Sequence, residues 1–370
     1  MPRVRFITLG CRLNQAEEAI FAADFSANGW DVAFGGDDAG ADGQEVVVLH
    51  SCAVTRMAER KTLQAIRALK RVDPPKTAPI VAVTGCATAA LPEQVLRAAG
   101  ADLIIPRTQY ANLRFAIEAA IAVSSGFAPA APPAGRASLR ERPYLRPGRH
   151  HAMLKVQDGC DFRCAYCIVP YTRGPATSRP FAECVAEATA MAKAGVPEIV
   201  MTGCNLACYR DGVAGLPELA AAVCEAVAPM GATVSLGSVE PAICDEAIVA
   251  LMLAHKNLKR FVHLPIQSGD SKVLALARRR YNGERIREIL TLYRKKVPNL
   301  FLGADFITGL PGEDEEAFQR TCDLVKEFSF DHIHVFPYSP RQGTAALALP
   351  DIPSRAVARA RAARLRTLTA

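Results

Sequence analysis

Residues 155–174 read KVQDGCDFRCAYCIVPYTRG and hold three closely spaced cysteines, Cys160, Cys164 and Cys167. They follow the end of a predicted strand, Ala152–Gln157, in the spacing C-x3-C-x2-C. Three close thiolates suit an iron–sulfur cluster, and a four-iron cluster would keep one iron open to a small molecule. Two alternatives remain open: a structural zinc site, which prefers four protein ligands, and inert buried cysteines.

The chain around this motif alternates between predicted strands and helices. From residue 152 onward, the predicted strands begin near Ala152, Glu198, Thr233, Arg260, Phe301 and His332. The predicted helices between them include Ala182–Ala194, Leu216–Val227, Glu284–Lys295 and Glu315–Phe328. This alternation predicts an incomplete parallel (β/α)6 barrel of the TIM type over residues 151–353, because a full barrel needs eight such units. An arginine-rich helix is predicted over Ser354–Ala370.

Residues 1–123 show the same alternation and predict a separate α/β domain. The predicted strands are Arg5–Leu9, Val46–Leu49 and Ile80–Val83, and each is followed by a helical pattern. Strands that alternate with helices indicate a doubly wound parallel sheet. Residues 124–150 are rich in Pro, Ala, Gly and Arg without apolar periodicity, which is typical of an interdomain linker.

Three further cysteines, Cys11, Cys52 and Cys86, each follow a predicted strand of the first domain. In a doubly wound sheet the carboxyl ends of parallel strands converge on one crevice. The three thiolates could therefore hold a second cluster, again one ligand short. The alternative is that they are small buried residues, because cysteine is often buried.

Composition excludes several classes of protein. Apolar residues make up 50% of the chain and charged residues 22%, which excludes a disordered or fibrous chain. No apolar run reaches the roughly 18 residues of a membrane helix, and the start does not resemble a signal peptide. We therefore expect a cytoplasmic protein without a membrane segment, whose 12 cysteines are not paired in disulfides. The net charge of +7 is compatible with a nucleic-acid partner.

Polar and glycine residues end four of the predicted barrel strands, where a barrel binds its ligands. The four segments are TGCN at residues 202–205, SVEP at 238–241, HLPIQSG at 263–269 and TGLPGE at 308–313. Each segment alone is a weak signal, because its glycines could simply form turns. Their order at successive strand ends is the stronger signal.

These motifs together resemble the radical S-adenosylmethionine methylthiotransferase family, and the resemblance extends over the whole chain. TLGCRLNQAE, HSCAVTRMAERK and TGCATA are similar to its N-terminal domain, in which three cysteines hold an auxiliary 4Fe-4S cluster. The resemblance therefore implies two 4Fe-4S clusters, one on Cys11, Cys52 and Cys86 and one on the C-x3-C-x2-C motif. It also implies S-adenosylmethionine at the open iron, cleaved to a radical. The implied contacts to this cofactor are Asn205, Glu240 and Gln267.

Members of the family differ in their substrate. GCRLNQ at residues 10–15 is most similar to the branch that modifies N6-threonylcarbamoyladenosine next to the tRNA anticodon. The alternatives are isopentenyladenosine in tRNA and an aspartate of a small-subunit ribosomal protein. A non-catalytic iron–sulfur protein is a weaker alternative. The resemblance implies a tRNA anticodon stem-loop as partner, with an electron donor of the flavodoxin or ferredoxin type and a sulfur donor.

The run Arg278–Tyr281 combines three arginines with an aromatic ring, which suits phosphate contact and base stacking. Further candidate RNA contacts are Arg56, Arg60, Lys61 and Arg173. Two cysteines, Cys204 and Cys208, depart from the family pattern, and we expect them to be unliganded thiols. The family usually carries a C-terminal TRAM-type β-barrel, which is not present after the arginine-rich helix of this sequence. Two alternatives remain open: the sequence is truncated, or the protein binds RNA without that barrel.

Overall fold

The computed structural model describes residues 2–35, 45–71, 78–124 and 149–369. The chain divides into two compact units. The first comprises Met1–Arg149 together with Tyr171–Arg173, and the second comprises His150–Pro170 and Gly174–Ala370. Most of the predicted linker, residues 125–148, lies outside the described residues. The predicted domain limits stay a prediction.

The first unit contains a parallel sheet in the order β2-β1-β3-β4-β5. Its strands are β1 Arg3–Thr8, β2 Asp31–Phe34, β3 Glu45–Ser51, β4 Ile80–Gly85 and β5 Leu103–Ile104. Its helices are α1 Arg12–Ala27, α2 Arg56–Lys70, α3 Ala87–Ala90, α4 Glu93–Ala98 and α5 Leu113–Ser124. The predicted parallel sheet is confirmed. The sequence pattern does not predict β2 and β5, because these edge strands are too short to show a clear period.

Two apolar cores lie on the faces of this sheet. One includes Phe6, Phe25 and Ile117, and the other includes Ile66 and Leu96. Because helices cover both faces, the central strand β3, EVVVLHS, carries an unbroken run of four apolar residues and is buried from its second residue to its last. A central strand that is covered on both faces holds its carboxyl end firmly, and Cys52 follows that end directly.

The second unit is the predicted incomplete barrel. Its strands are β6 Ala152–Lys155, β7 Gln157–Asp158, β8 Thr177–Ser178, β9 Glu198–Thr202, β10 Thr233–Leu236, β11 Phe261–Gln267, β12 Phe301–Thr308 and β13 His332–Pro337. The sheets β10-β9-β6 and β11-β12-β13 are parallel, and bridges from Val234 to Leu258 and from Ser238 to His263 join them. Within the described residues this gives six parallel strands, as predicted.

Helices accompany the barrel strands and close its outer layer. They are α7 Phe181–Lys193, α8 Leu216–Val227, α9 Glu246–Ala254, α10 Ser271–Leu276, α11 Gly283–Lys296, α12 Glu315–Phe328 and α13 Arg355–Arg366. The short helix α6, Val169–Arg173, is divided between the units, since its last three residues belong to the first. The arginine-rich α13 packs on β12 and β13. Its Arg361 is buried and donates to Glu313, which ends the TGLPGE segment, with Nη1 3.0 Å from Oε1. Among the described residues no helix has the length and apolar character needed to cross a membrane.

Candidate functional site

In the first unit, Cys11, Cys52 and Cys86 follow β1, β3 and β4, which are neighbours in the sheet. They form what we call the strand-end trio. Its members are close enough for Cys86 to raise the pKa of both other thiols by charge repulsion. The predicted convergence of these three cysteines is therefore present in the geometry. Exposure falls from Cys11, which is exposed, to Cys86, which is buried.

A buried arginine lies against this trio. Arg173, whose side chain is 2% exposed, points its Nε at the sulfur of Cys86 at 3.4 Å. Its two terminal nitrogens form a bidentate ion pair with Glu17, at 2.9 and 3.0 Å. Nη2 also donates to Asn14 Oδ1 at 2.9 Å, and the Cys11 thiol donates to the same oxygen at 3.4 Å. The GCRLNQAE segment thus supplies one cysteine and the two groups that orient the guanidinium.

Burial disfavours the thiolate form in this trio. It raises the pKa of Cys52 to about 11. Cys11 is exposed as a whole residue, but the protein atoms packed around its sulfur also raise its pKa, with Arg173 opposing the rise. A bound metal ion reverses such a shift, because its positive charge stabilises the deprotonated sulfur. The pocket therefore suits thiolates that carry metal better than it suits free thiolates.

In the second unit, Cys160, Cys164 and Cys167 lie in the loop between β7 and α6, and we call them the loop trio. Burial raises the pKa of Cys167 to about 12 and also raises that of Cys164. Arg279 donates from Nη1 to the sulfur of Cys164 at 3.0 Å. Each trio is thus paired with one arginine that donates to one of its sulfurs.

Arg279 is held in place by several partners. Its side chain is 4% exposed, and its Nη2 lies 2.5 Å from Glu240 Oε1. It also donates to the hydroxyls of Tyr281 and Tyr166, and Tyr281 is itself buried. Glu240 is one of the predicted cofactor contacts, and burial raises its pKa while Arg279 opposes the rise.

The other two predicted cofactor contacts occupy the same edge of the barrel. Asn205 lies three residues beyond β9, and its Nδ2 is 3.6 Å from the sulfur of Cys160. Gln267 is the last residue of β11, is 7% exposed, and has a left-handed backbone with φ 72°. A left-handed conformation is costly for a residue other than glycine, so it is a common feature of functional sites. The cofactor role of both residues stays a prediction.

Cys208 is a fourth thiol near the loop trio, which the spacing of the motif does not reveal. Its thiol donates a hydrogen bond to the sulfur of Cys160, and this bond is the main reason that the pKa of Cys160 falls to about 6. The thiol of Cys204 instead lies 3.5 Å from Asp158 Oδ1. Both cysteines are predicted to be unliganded thiols. Because Cys208 contacts Cys160, the prediction for Cys208 is the one that a substitution must test.

The structure corrects part of the predicted RNA surface. Arg279, Tyr281 and Arg173 are predicted RNA contacts, but the side chains of all three are buried. The two arginines face carboxylates and sulfurs, and the hydroxyl of Tyr281 donates to the backbone carbonyl of Pro265 at 2.8 Å. Arg278 and Arg280 are exposed, and the guanidinium of Arg280 lies over the ring of Phe162 at 3.8 Å. The other candidates, Arg56, Arg60 and Lys61, are exposed on α2.

The barrel strands also carry a polar cluster that the sequence motifs do not predict. His263, Asp305 and His334 bring nitrogen and oxygen atoms within 4.8 Å of one another. They belong to β11, β12 and β13, and only His263 falls in a motif that drew attention. Side-chain alternation along the strands was a usable signal, because polar residues on one face of an apolar strand are unusual in a barrel.

Comparisons with known proteins agree with this architecture. Residues 154–325 match the Radical SAM superfamily, and residues 3–106 match the family described as Uncharacterized protein family UPF0004. The chain is 31% identical to tRNA-2-methylthio-N(6)-dimethylallyladenosine synthase of Erythrobacter litoralis, over 93% of this chain and 77% of the relative. It is 30% identical to threonylcarbamoyladenosine tRNA methylthiotransferase MtaB of Bacillus subtilis, over 95% and 76% respectively.

Among solved structures, the fold is similar to that of TsrM from Kitasatospora setae, a radical S-adenosylmethionine methyltransferase with cobalamin and a 4Fe-4S cluster bound. The TM-score is 0.63 at 15% identity, over 92% of this chain and 77% of that chain. At this identity the likeness supports the fold alone.

Proposed function

We propose a substrate and two cluster sites for this chain, which belongs to the radical S-adenosylmethionine tRNA methylthiotransferase family and is therefore an enzyme that transfers sulfur-containing groups. The family implies a 4Fe-4S cluster and S-adenosylmethionine. We assign the first cluster to the loop trio and a second, auxiliary cluster to the strand-end trio. The proposed substrate is N6-threonylcarbamoyladenosine next to the tRNA anticodon, methylthiolated at C2.

The donor chemistry of both sites fits a cluster. Each trio offers three thiols, and in each a nearly buried guanidinium donates to one sulfur, at 3.4 Å to Cys86 and at 3.0 Å to Cys164. Hydrogen bonds to sulfur and nearby positive charge are what stabilise a bound cluster. This repeated arrangement is the observation that carries the two-cluster proposal. When bound, the clusters and S-adenosylmethionine would supply the electron, the radical and the sulfur that the reaction needs.

The residues of the chain have defined tasks in this proposal. Glu240 and Gln267 line the cofactor side of the barrel edge, and Asn205 orients the sulfur of Cys160 through its amide. Arg279 fixes Glu240 and Cys164 relative to each other, because one guanidinium donates to both. Burial of these groups keeps water away from a reactive radical.

The choice of the threonylcarbamoyl substrate rests on the GCRLNQ segment and on its charge. Arg12 follows Cys11 directly and is exposed. The threonylcarbamoyl group carries a carboxylate, which an exposed guanidinium can bind, whereas an isopentenyl group offers no charge. The curated relatives include both substrate types at similar identity, so this branch is our own proposal. The electron donor and the sulfur donor stay predictions.

Iron analysis tests the two-cluster assignment. After anaerobic reconstitution we expect about eight iron per chain, falling to about four when either trio is replaced by alanine. Cys208→Ser is the matched control and is expected to keep all eight. Loss of iron in Cys208→Ser would make Cys208 a ligand and would contradict an open iron at the loop trio. Zinc in place of iron would overturn both assignments.

A competition assay tests the substrate. Synthetic anticodon stem-loops carrying threonylcarbamoyladenosine or isopentenyladenosine are offered together, and methylthio products are measured by mass spectrometry. We expect the threonylcarbamoyl product to dominate. A dominant isopentenyl product would replace the proposed substrate with the alternative. A separate reaction offers a small-subunit ribosomal protein, and modification of that protein with neither RNA modified would reject tRNA as the substrate.

A further inference from the structure

The cluster of His263, Asp305 and His334, which we call the inner-face cluster, is not used by the proposed cluster sites. His263 Nε2 lies 3.0 Å from Asp305 Oδ1. The rings of His263 and His334 are 5.5 Å apart, and His332 Nε2 lies 3.3 Å from His334 Nδ1. Exposure rises from His263, which is buried, to His334, which is exposed. The cluster is therefore reachable from one side.

Strand register places these residues on one face of the sheet. Asp305 is the register partner of His334, and Gly303 is the partner of both His263 and His332. Alternate residues of β12, such as Leu302 and Phe306, are fully buried on the opposite face. Since the buried face packs under the helices, the inner-face cluster lies on the concave side of the barrel.

Gly303 gives the cluster its shape. A Cβ atom at this position would lie 2.6 Å from Nδ1 of His263, which is closer than real atoms approach. The absence of a side chain lets the His263 ring lie across β12 and reach Asp305. The contact between His263 and Asp305 is therefore fixed by the strands and does not depend on a loop.

Exposed phenylalanine rings flank the cluster on the same face. Phe301 is 45% exposed and Phe336 is 46% exposed, an unusual state for rings on barrel strands. Phe301 stacks on Phe261, whose ring in turn stacks on His263. Phe336 lies against His334, with ring centroids 6.2 Å apart. The face thus combines ring surfaces with a carboxylate and imidazoles.

We propose that this face binds the extruded adenine base of the RNA substrate, an inference that rests on the proposed function. The exposed ring of Phe336, two residues from His334 on β13, offers a stacking surface. Asp305 can accept from an exocyclic N–H while an imidazole N–H donates to a ring nitrogen. Adenine presents that donor beside that acceptor. A divalent metal ion would use the three polar side chains but would leave the exposed ring of Phe336 without a role. Phe301 begins β12, six register positions or about 20 Å from the level of Phe336, so we do not assign it to the same base.

The test compares two stem-loop RNAs that differ at one position, with adenosine or an abasic residue at the target site. The cluster-loaded wild type is expected to bind the adenosine RNA about tenfold more tightly, because stacking one base contributes that much. Phe336→Ala and Asp305→Asn are expected to lose most of this preference and to keep the affinity for the abasic RNA. A merely structural defect would lower both affinities.

Matched controls are available on the same unit. Leu253→Ala removes a side chain of equal exposure, 46%, from α9, and Asp323→Asn removes a carboxylate from α12. Both controls should keep the preference for adenosine. Iron content and the thermal unfolding midpoint verify that each variant is folded and loaded.

Three outcomes would overturn the inference. The first is an unchanged adenosine preference in Phe336→Ala and Asp305→Asn. The second is equal binding of both RNAs by a wild type that methylthiolates its substrate, which leaves the proposed function intact. The third is binding of one equivalent of Co²⁺ by the cluster-loaded wild type and loss of that ion in His334→Gln. The X-ray absorption spectrum of this Co²⁺ would then show only nitrogen and oxygen neighbours. A wild type that keeps the adenosine preference without methylthiolating any RNA would reject the proposed function alone.

Discussion

The two cysteine trios have similar neighbouring side chains, but their cysteines are spaced very differently along the chain. The loop trio occupies eight consecutive residues, Cys160 to Cys167, whereas the strand-end trio spans Cys11 to Cys86. Yet each is paired with one nearly buried arginine that donates to a sulfur and forms an ion pair with a glutamate. A single loop and three separate strand ends thus both bring together three thiols, one guanidinium and one carboxylate.

The difference lies in what positions each trio. In the loop trio, the short stretch of chain by itself keeps the sulfurs close together. Arg279 reaches the trio from the segment that follows α10. In the strand-end trio the register of β1, β3 and β4 sets the positions, because the three strands end at the same edge. The second arrangement therefore depends on the whole sheet, and its test must separate cluster loss from unfolding.

The largest expected effect separates the trios by reaction step. Alanine at Cys160, Cys164 or Cys167 is expected to abolish 5′-deoxyadenosine formation, because the cofactor loses its iron. Alanine at Cys11, Cys52 or Cys86 is expected to spare cofactor cleavage and to stop methylthiolation. Both products are measured by mass spectrometry in one reaction. Full methylthiolation by the second set would show that the strand-end trio holds no auxiliary cluster.

The next effect concerns the buried ion pair of the first unit. Glu17→Gln leaves the charge of Arg173 buried without its carboxylate and is expected to lower the free energy of unfolding by about 3–5 kcal/mol. Fluorescence of Trp30, the single tryptophan of the chain, follows unfolding of this unit. Glu93→Gln breaks the exposed pair with Arg97 and serves as control, with an expected loss of about 0.5 kcal/mol or less. Equal losses in both variants would contradict the structural role of Glu17.

A smaller effect is expected on the reduction potentials. Arg173→Lys and Arg279→Lys each replace a guanidinium that donates to sulfur, which removes a group that stabilises the more negative, reduced cluster. We expect each variant to lower the potential of its own cluster by on the order of 50 mV. The measurement is an EPR-monitored redox titration in proteins that carry only one trio. A shift of both potentials by either variant would indicate a general loss of structure.

The smallest effect concerns substrate choice. Arg12→Gln removes an exposed charge next to Cys11 and is expected to raise KM for the threonylcarbamoyl stem-loop about twofold to fivefold, because an exposed ion pair contributes about 1 kcal/mol or less. The exposed Arg67→Gln, also in the first unit, is the control. An equal rise in KM for a stem-loop with unmodified adenosine would show that Arg12 contacts the RNA backbone and not the threonylcarbamoyl group.

Much of this molecule could be predicted from its sequence. The alternation of apolar strands and helices predicted both the parallel sheet and the six-stranded barrel, because strands covered by helices on both faces read as short apolar runs. The C-x3-C-x2-C spacing revealed the loop trio, since neighbours in a loop remain neighbours in space. The short edge strands Asp31–Phe34 and Leu103–Ile104 were missed because a run of two to four residues carries almost no period.

Only the tertiary structure decided which charged residues are internal. Arg173 and Arg279 look like surface charges in the sequence, but folding places each between a sulfur and a glutamate. The same holds for Cys208 beside Cys160, and for His263, Asp305 and His334, which come from separate strands. Local sequence determines periodicity and loop spacing, while register and strand order determine which distant side chains meet. The sequence by itself therefore grouped the cysteines into two trios, and the buried cations and inner-face cluster required the fold.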